Sequence, residues 1–483
     1  MMIMKKVKII TTLPGLLTLV FLISSCQSLF NDNNIKSNPN AVTDVDIPTL
    51  LSGTLVGTSM LHEDTDVRIA SLWASELSGL SRQHQGYAEY IVQASTFDWS
   101  TLYPVASQAR LIQQKADALG DKWSKGVGEV IEALIMAKAT DLYGDVPYSQ
   151  AFQPVTYPTP VYDKQADVYT ALIAVLTDAA TNLSAPTGLP LAAGDFIYGG
   201  DVSKWKAAAN TLKARLYLHL GDYPNAITAA LAGISSTGGD ALIPHGTSIG
   251  VDDNQNYDFF VVTRKGDTGF DGSFFPALLS SRIGSTNTKT NESAFYKFFI
   301  NVGGLTGAGA LDPNTTSGGA FATNAPTPLL TYYETQLILA ESYARLATPD
   351  LTSSLAALNK VRAGLSAGYV NGQTLPAGGL YLPYVAADFG PAGLANPKAY
   401  PDQQSAMLYE IISQRFTLLV MQYEAFNDLR RLAKAAPVIQ LGITPVQGSK
   451  LPQRFIYPQN EINANPNTPN PAPDQFTKLP IYN

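Results

Sequence analysis

A mainly α-helical chain is what this sequence predicts, with antiparallel helix pairs stacked into a superhelical scaffold and long loops inserted between them. Three observations carry that reading. Apolar residues recur at helical spacing in several long segments. Strand-like runs are few and short: Leu242 to Pro244, Phe259 to Val262 and Arg454 to Tyr457. Tracts rich in Gly, Pro, Asn and Thr separate the periodic segments, at 144–160, 185–200, 238–256, 285–327 and 367–401.

Taken in order, the stripe Val127, Val130, Ile131, Leu134, Ile135 predicts one amphipathic helix, and Val168, Leu172, Val175, Leu176, Ala179 the next. Trp205, Ala208, Ala209, Leu212 and Leu216 mark a third. Gly221-Asp222-Tyr223-Pro224 then turns the chain into a partner helix. Leu330, Tyr333, Leu337, Ala340 and Ala344 precede a helix carrying Leu351, Leu355 and Leu358. Leu408, Ile411, Ile412, Leu419, Phe426 and Leu429 predict the longest helix. The expected pairs lie near 124–183, 203–234, 329–365 and 405–432, with loop-rich insertions at 238–327 and 367–401. Two of them, 204–234 and 332–365, resemble tetratricopeptide units, although the ~34-residue period of such repeats is not sustained.

The first 25 residues read as an export signal. Lys5, Lys6 and Lys8 precede an apolar run from Ile9 to Ile23 that is interrupted by Pro14 and Gly15. The run is shorter than the ~20 residues of a membrane-spanning helix. Leu22-Ile23-Ser24-Ser25-Cys26 resembles a bacterial lipobox, which implies cleavage before Cys26 and lipid on its thiol. Cys26 is the one cysteine of the chain, so disulfides are excluded. Residues 26–40 are polar and Asn-rich, the composition of a tether, and 41–483 is expected to be a single body.

Removing the signal takes three of 32 basic residues and none of 39 acidic ones, leaving a formal charge of −10. That balance gives no basic footprint for nucleic acid. Catalytic motifs fare no better. Gly246-Thr247-Ser248-Ile249-Gly250 matches G-x-S-x-G, but no α/β pattern surrounds it. Asp252, Asn254 and Asn256 begin like a calcium loop, yet Tyr257 stands where glycine is needed and Thr263 where the bidentate glutamate belongs. His62, His84, His219 and His245 lack zinc-ligand spacing, and no phosphate or dinucleotide loop is present. No catalytic residue, metal or cofactor is assigned.

A family resemblance rests on motifs in a fixed order. They are Asn38-Pro39-Asn40-Ala41, Asp141-Leu142-Tyr143-Gly144-Asp145-Val146-Pro147-Tyr148, and Trp205 with Ala209-Asn210-Thr211-Leu212. Ala340-Glu341-Ser342-Tyr343-Ala344, Leu358-Asn359-Lys360-Val361-Arg362, Phe426-Asn427-Asp428-Leu429-Arg430-Arg431 and Arg454-Phe455-Ile456-Tyr457-Pro458 follow. With the lipobox, these make the chain resemble the SusD/RagB outer-membrane lipoproteins, in particular the SusD-like branch. The resemblance implies a surface protein that captures an oligosaccharide, or a peptide, for a SusC-like TonB-dependent transporter. A helical-repeat adaptor is the alternative, and would lack a loop-built pocket. A lipid-anchored glycan hydrolase is third.

Physically, the family motifs read as scaffold. Arg415, Glu424, Asp428, Arg430 and Arg431 are expected to link helices as ion pairs. Sugar capture needs exposed aromatic faces with polar side chains beside them. Two clusters qualify among the 24 Tyr, 19 Phe and four Trp: one around Trp73, Tyr87, Tyr90 and Trp99, the other from Tyr257 to Phe274. Trp99 and Tyr103 would share a helix face if that segment is helical, and are assigned to the core. Trp73, Tyr87, Tyr257 and Phe270 are the expected ligand-contacting rings, with Gln83 and Arg264 as hydrogen-bond donors.

Overall fold

The computed structural model describes residues 45–482; the signal segment, Cys26 and the tether lie outside the described residues. Residues 47–483 fall into one compact unit. Helix accounts for 49% of the structure and strand for 6%, which settles the mainly α class.

The chain opens with α1 (Ile47–His62), α2 (Thr65–Trp73) and the short α3 (Arg82–Ala88). Asp64 starts α2 by accepting the Val67 N–H at 2.9 Å. The scaffold follows: α4 (Leu102–Leu119), α5 (Lys122–Tyr143), α6 (Gln165–Asn182), α7 (Val202–Leu220) and α8 (Tyr223–Leu231). Each packs on the next along the chain, and α7 and α8 form a tight hairpin. Gly221, at φ +73°, ends α7 in the left-handed conformation, and Asp222 caps α8 ahead of Pro224. An insertion then carries α9 (Gln255–Tyr257), α10 (Phe274–Ser281) and α11 (Ser293–Phe299). The scaffold resumes with α12 (Tyr332–Ala344), packed on α8, and its hairpin partner α13 (Leu351–Ser366). Asp350 caps α13. Helices α14 (Gln403–Leu418), α15 (Glu424–Arg431) and α16 (Gln459–Ala464) complete the chain.

Helices α1 and α2 are absent from the sequence reading; in α1, Thr, Ser and Gly fill much of the buried face and mask its stripe. The expected continuous helix through 405–432 is broken. Met421 adopts φ +58°, and its N–H donates to the buried Glu76 carboxylate at 3.1 Å. As a result α15 packs on α2 instead of continuing α14, and α5, with 22 residues, exceeds either half. Of the three expected strands, 241–243 pairs with 327–330. Asp258–Thr263 is a π-helical turn, in which Phe259 and Phe260 are both buried. Residues 454–457 belong to no strand, and are held where the Phe455 N–H donates to the Leu142 carbonyl at 2.7 Å. Trp99 precedes α4 and so shares no helix face with Tyr103, but it is buried and the two rings touch edge-on at 5.3 Å.

Buried ion pairs tie the scaffold helices together. Arg215 of α7 grips Glu334 of α12 with two bonds, 2.6 and 2.7 Å. Arg431 of α15 grips Glu341 of α12 at 2.7 Å twice, and Arg415 of α14 meets Asp428 of α15 at 2.8 Å. Arg430 departs from expectation: it has no acidic partner among the described residues and instead donates to the Phe426, Asp141 and Gln453 carbonyls. Glu424 pairs with His219 of α7 at 3.0 Å.

Candidate functional site

Two adjoining cavities open where α1, α2 and α3 meet the insertion. The smaller, about 470 Å³, is lined by Thr65, Arg68, Gln83, His84, Tyr87, Phe259, Thr263 and Arg264. The larger, about 620 Å³, shares Arg68, Phe259 and Thr263 with it and extends past Val56, Met60, Phe196 and His245 to the 250–258 loop. Ligand pockets commonly run ~300–1,000 Å³, so each could hold a sugar unit.

Local chemistry explains how residues nearly two hundred positions apart meet. Ser78 and Gly79 pair antiparallel with Gly269 and Thr268. Gly79 has to be glycine: a Cβ there would sit 1.9 Å from the His84 carbonyl oxygen. Asp267, buried behind the wall, accepts from Ser81 Oγ at 3.0 Å, lies 3.1 Å from His84 Nδ1, and pairs with Arg82. Against the cost of burial, Arg82 and Ser81 hold the Asp267 carboxyl below its usual range. Burial lowers His84, although Asp267 opposes that shift. Arg82 is held at φ +51°, a strained conformation for a residue with a Cβ.

An aromatic row forms the wall. Tyr87 meets His84 edge-on at 5.4 Å, His84 meets Phe259 at 5.0 Å, and the Arg68 guanidinium lies 4.3 Å over Phe259. Arg68 donates to the Glu63 carbonyl at 2.6 Å; burial lowers it to about 10, against the pull of Asp64 and Glu63. It stays charged. Behind the row, Phe260, Phe321, Phe270 and Phe275 continue as core packing.

The expected site residues divide. Gln83, Tyr87 and Arg264 line the smaller cavity together, with Gln83 and Arg264 exposed. Trp73 and Phe270 do not belong to it, being 1% and 0% exposed. Trp73 packs edge-on against Phe426 and Phe455, and its indole N–H donates to the Tyr87 carbonyl at 2.9 Å, so it supports Tyr87 from beneath. Phe270 is a member of the phenylalanine column. Tyr257 is half-buried on α9 and lines neither cavity. Arg68 and Thr65 were missed, since a single Arg in an otherwise unremarkable helix carries no sequence signal.

The other motifs resolve into structure. Ser248 sits in a turn closed by its N–H to the Asp252 carboxylate at 2.8 Å, not in a strand-to-helix elbow. Asn254 caps α9 and donates to the Ala325 carbonyl at 2.9 Å. Asp141, His219 and Glu424 form the one metal-competent cluster among the described residues. Tyr169, Asn427 and Arg215 already engage those carboxylates, so the cluster reads as a scaffold ion-pair hub. No described helix is long and apolar enough to cross a membrane.

The fold is thus a helical-repeat scaffold with two adjoining cavities between its first three helices and the insertion. Residues 39–458 match the SusD-like family described as "Starch-binding associating with outer membrane", and the chain belongs to that family. Comparison with curated proteins returned no significant match. Among solved structures, a SusD/RagB family protein from Bacteroides thetaiotaomicron is 22% identical, with a TM-score of 0.66 over 88% of this chain and 95% of that one. A SusD homolog from Bacteroides fragilis is 17% identical (TM-score 0.66, 91% and 100% covered). A chitin-binding SusD homolog from Flavobacterium johnsoniae is 16% identical (TM-score 0.63, 89% and 98% covered). At these identities the likeness establishes the fold.

Proposed function

We propose that this protein is an outer-membrane lipoprotein, anchored through Cys26 and facing the cell exterior. It captures a nutrient oligosaccharide and passes it unchanged to a SusC-like TonB-dependent transporter. The observation that carries the reading is the smaller cavity, where Tyr87 offers a half-buried ring beside Gln83, Arg264, Thr65 and Thr263. A ring packs against the C–H face of a sugar while amide, guanidinium and hydroxyl groups bond its hydroxyls. The family description and the chitin-binding relative support a glycan over a peptide. A pocket closed on one side by an insertion also disfavours a plain helical adaptor.

Calorimetry of the purified protein against maltooligosaccharides, chitooligosaccharides and unrelated peptides tests this. Saccharide binding that weakens in Tyr87→Ala, with no product released from the saccharide, is expected. Binding confined to peptides, or cleavage of the saccharide, overturns it. Cys26→Ala should release the protein from membranes; unchanged attachment would refute the anchor.

A further inference from the structure

We infer that the smaller cavity selects an acidic saccharide, one whose ring carries an oxyanion (a carboxylate or a sulfate) that Arg264 and Arg68 bind. This rests on the saccharide reading above and specifies its substrate class.

The lining of this cavity holds two guanidiniums and no carboxylate. Arg264 is exposed, and its side chain forms no hydrogen bond or ion pair among the described residues. It follows directly on the π-helical turn whose Phe259 and Thr263 line the same cavity. Arg68 is half-buried and fixed in place, since it donates to the Glu63 carbonyl at 2.6 Å and lies 4.3 Å over the Phe259 ring. Four carboxylates act on Arg68 from a distance, and none pairs with it directly among the described residues. Three of them are engaged elsewhere. Glu63 lies 2.9 Å from His245 and accepts the Gln255 N–H at 2.8 Å. Asp64 accepts from Lys138 at 2.6 Å and Asp66 from the Tyr143 hydroxyl at 2.9 Å. The fourth, Asp258, lines the larger cavity and not the smaller. Asp267, behind the wall, is taken up by Arg82, Ser81 and His84.

A guanidinium only donates, so a neutral hydroxyl uses it for half of its hydrogen bonding. A carboxylate or sulfate accepts parallel, charge-assisted bonds from the same fork, each roughly twice as strong as a neutral one. Around that oxyanion the lining supplies what a sugar ring needs besides: the Tyr87 face for its C–H side, with Gln83, Thr65 and Thr263 for its hydroxyls. The larger cavity sets the register. Asp252, Asp253 and Asp258 line it, and like charges repel an oxyanion from that side, so the acidic unit is confined to the smaller cavity.

The test is calorimetry at neutral pH and low salt. The probes are trimers of galacturonate, glucuronate and mannuronate, each beside its methyl ester. Sulfated maltotriose beside maltotriose and a glutamate-containing pentapeptide complete the set. At least one acidic trimer is expected to bind about tenfold or more tighter than its neutral counterpart. Which pair shows the preference separates carboxylate from sulfate. Added salt should shrink it. It should fall to about twofold or less in Arg264→Gln, with a melting temperature near wild type, and lie between the two in Arg264→Lys, which keeps the charge and loses the fork. Arg68→Gln should act in the same direction; should it fail to fold, Arg264→Gln decides. Tyr87→Ala should weaken acidic and neutral trimers alike. Equal binding within every pair, binding of neutral trimers only, or a preference that survives Arg264→Gln overturns the acidic-sugar subsite and leaves saccharide capture standing. Binding of the pentapeptide alone overturns both.

Discussion

The scaffold and the insertion treat charge in opposite ways. Between α7, α12, α14 and α15, arginine forks meet carboxylates from distant helices: Arg215 with Glu334, Arg431 with Glu341, Arg415 with Asp428. Around the larger cavity, Asp252, Asp253 and Asp258 face no such partner. Burying a charge is expensive unless a partner compensates. Matched charges therefore belong to the buried architecture, while Asp252 and Asp258 stay open to water.

The largest effects should come from breaking the matched side. Glu334→Gln leaves the Arg215 guanidinium buried without its carboxylate and is expected to cost about 3–5 kcal/mol in denaturant unfolding. The double change Arg215→Met with Glu334→Leu should recover most of that loss; a double variant as unstable as the single one would show that the pair does more than compensate charge. Trp73→Ala and Phe270→Ala fall on the same side, since both rings are fully packed. Each should lower stability by about 3–5 kcal/mol, and an unchanged melting temperature would return them to the site.

A pH series sharpens the comparison next. Burial opposes the charge on His219, but Glu424 and Asp141 outweigh it and hold the imidazole up at about 9, from 6.5. Its contribution is complete below about pH 6.5 and is lost as pH rises through 9. Burial, with Asp64, raises Asp66 from 3.8 to about 7, so its contribution is lost between about pH 4 and pH 7 and is constant above that. Against their burial, Glu341 is held low by Arg431 and Arg345, and Glu424 by Arg215 and His219; their contribution disappears only in acid. The melting temperature should therefore peak in the mildly acidic range and fall steadily from about pH 6.5 to 9. A maximum near pH 9 would contradict the hub.

Smaller effects belong to the insertion side. Tyr87→Ala should weaken saccharide binding by about 1–3 kcal/mol, by analogy with stacking on nucleic-acid bases. Its stability should stay within about 0.5 kcal/mol of wild type. Gln83→Ala, which removes a single donor, should cost about 0.5–1.5 kcal/mol of affinity and nothing in melting. If either variant melts early, the boundary between architecture and site is drawn in the wrong place.

Much of the scaffold is legible in the sequence because its causes are local. The 3.6-residue stripe of α5, α6 and α7 and the Gly221-Asp222 turn act within a few residues, and each sits where the pattern places it. The break at Met421 is not legible, since the Glu76 carboxylate that receives its N–H comes from 345 residues earlier. The site is less legible still. Trp73 and Tyr87 stand fourteen residues apart and both look fit for stacking, yet the first is sealed between Phe426 and Phe455 while the second lies on a cavity wall. Residue type determines what a ring can do. Which rings remain open to a ligand was decided by the pairing of 78–79 with 268–269 and by the Asp267 contacts to Ser81, Arg82 and His84, long-range contacts that bring Gln83 and Tyr87 beside Arg264 and Phe259.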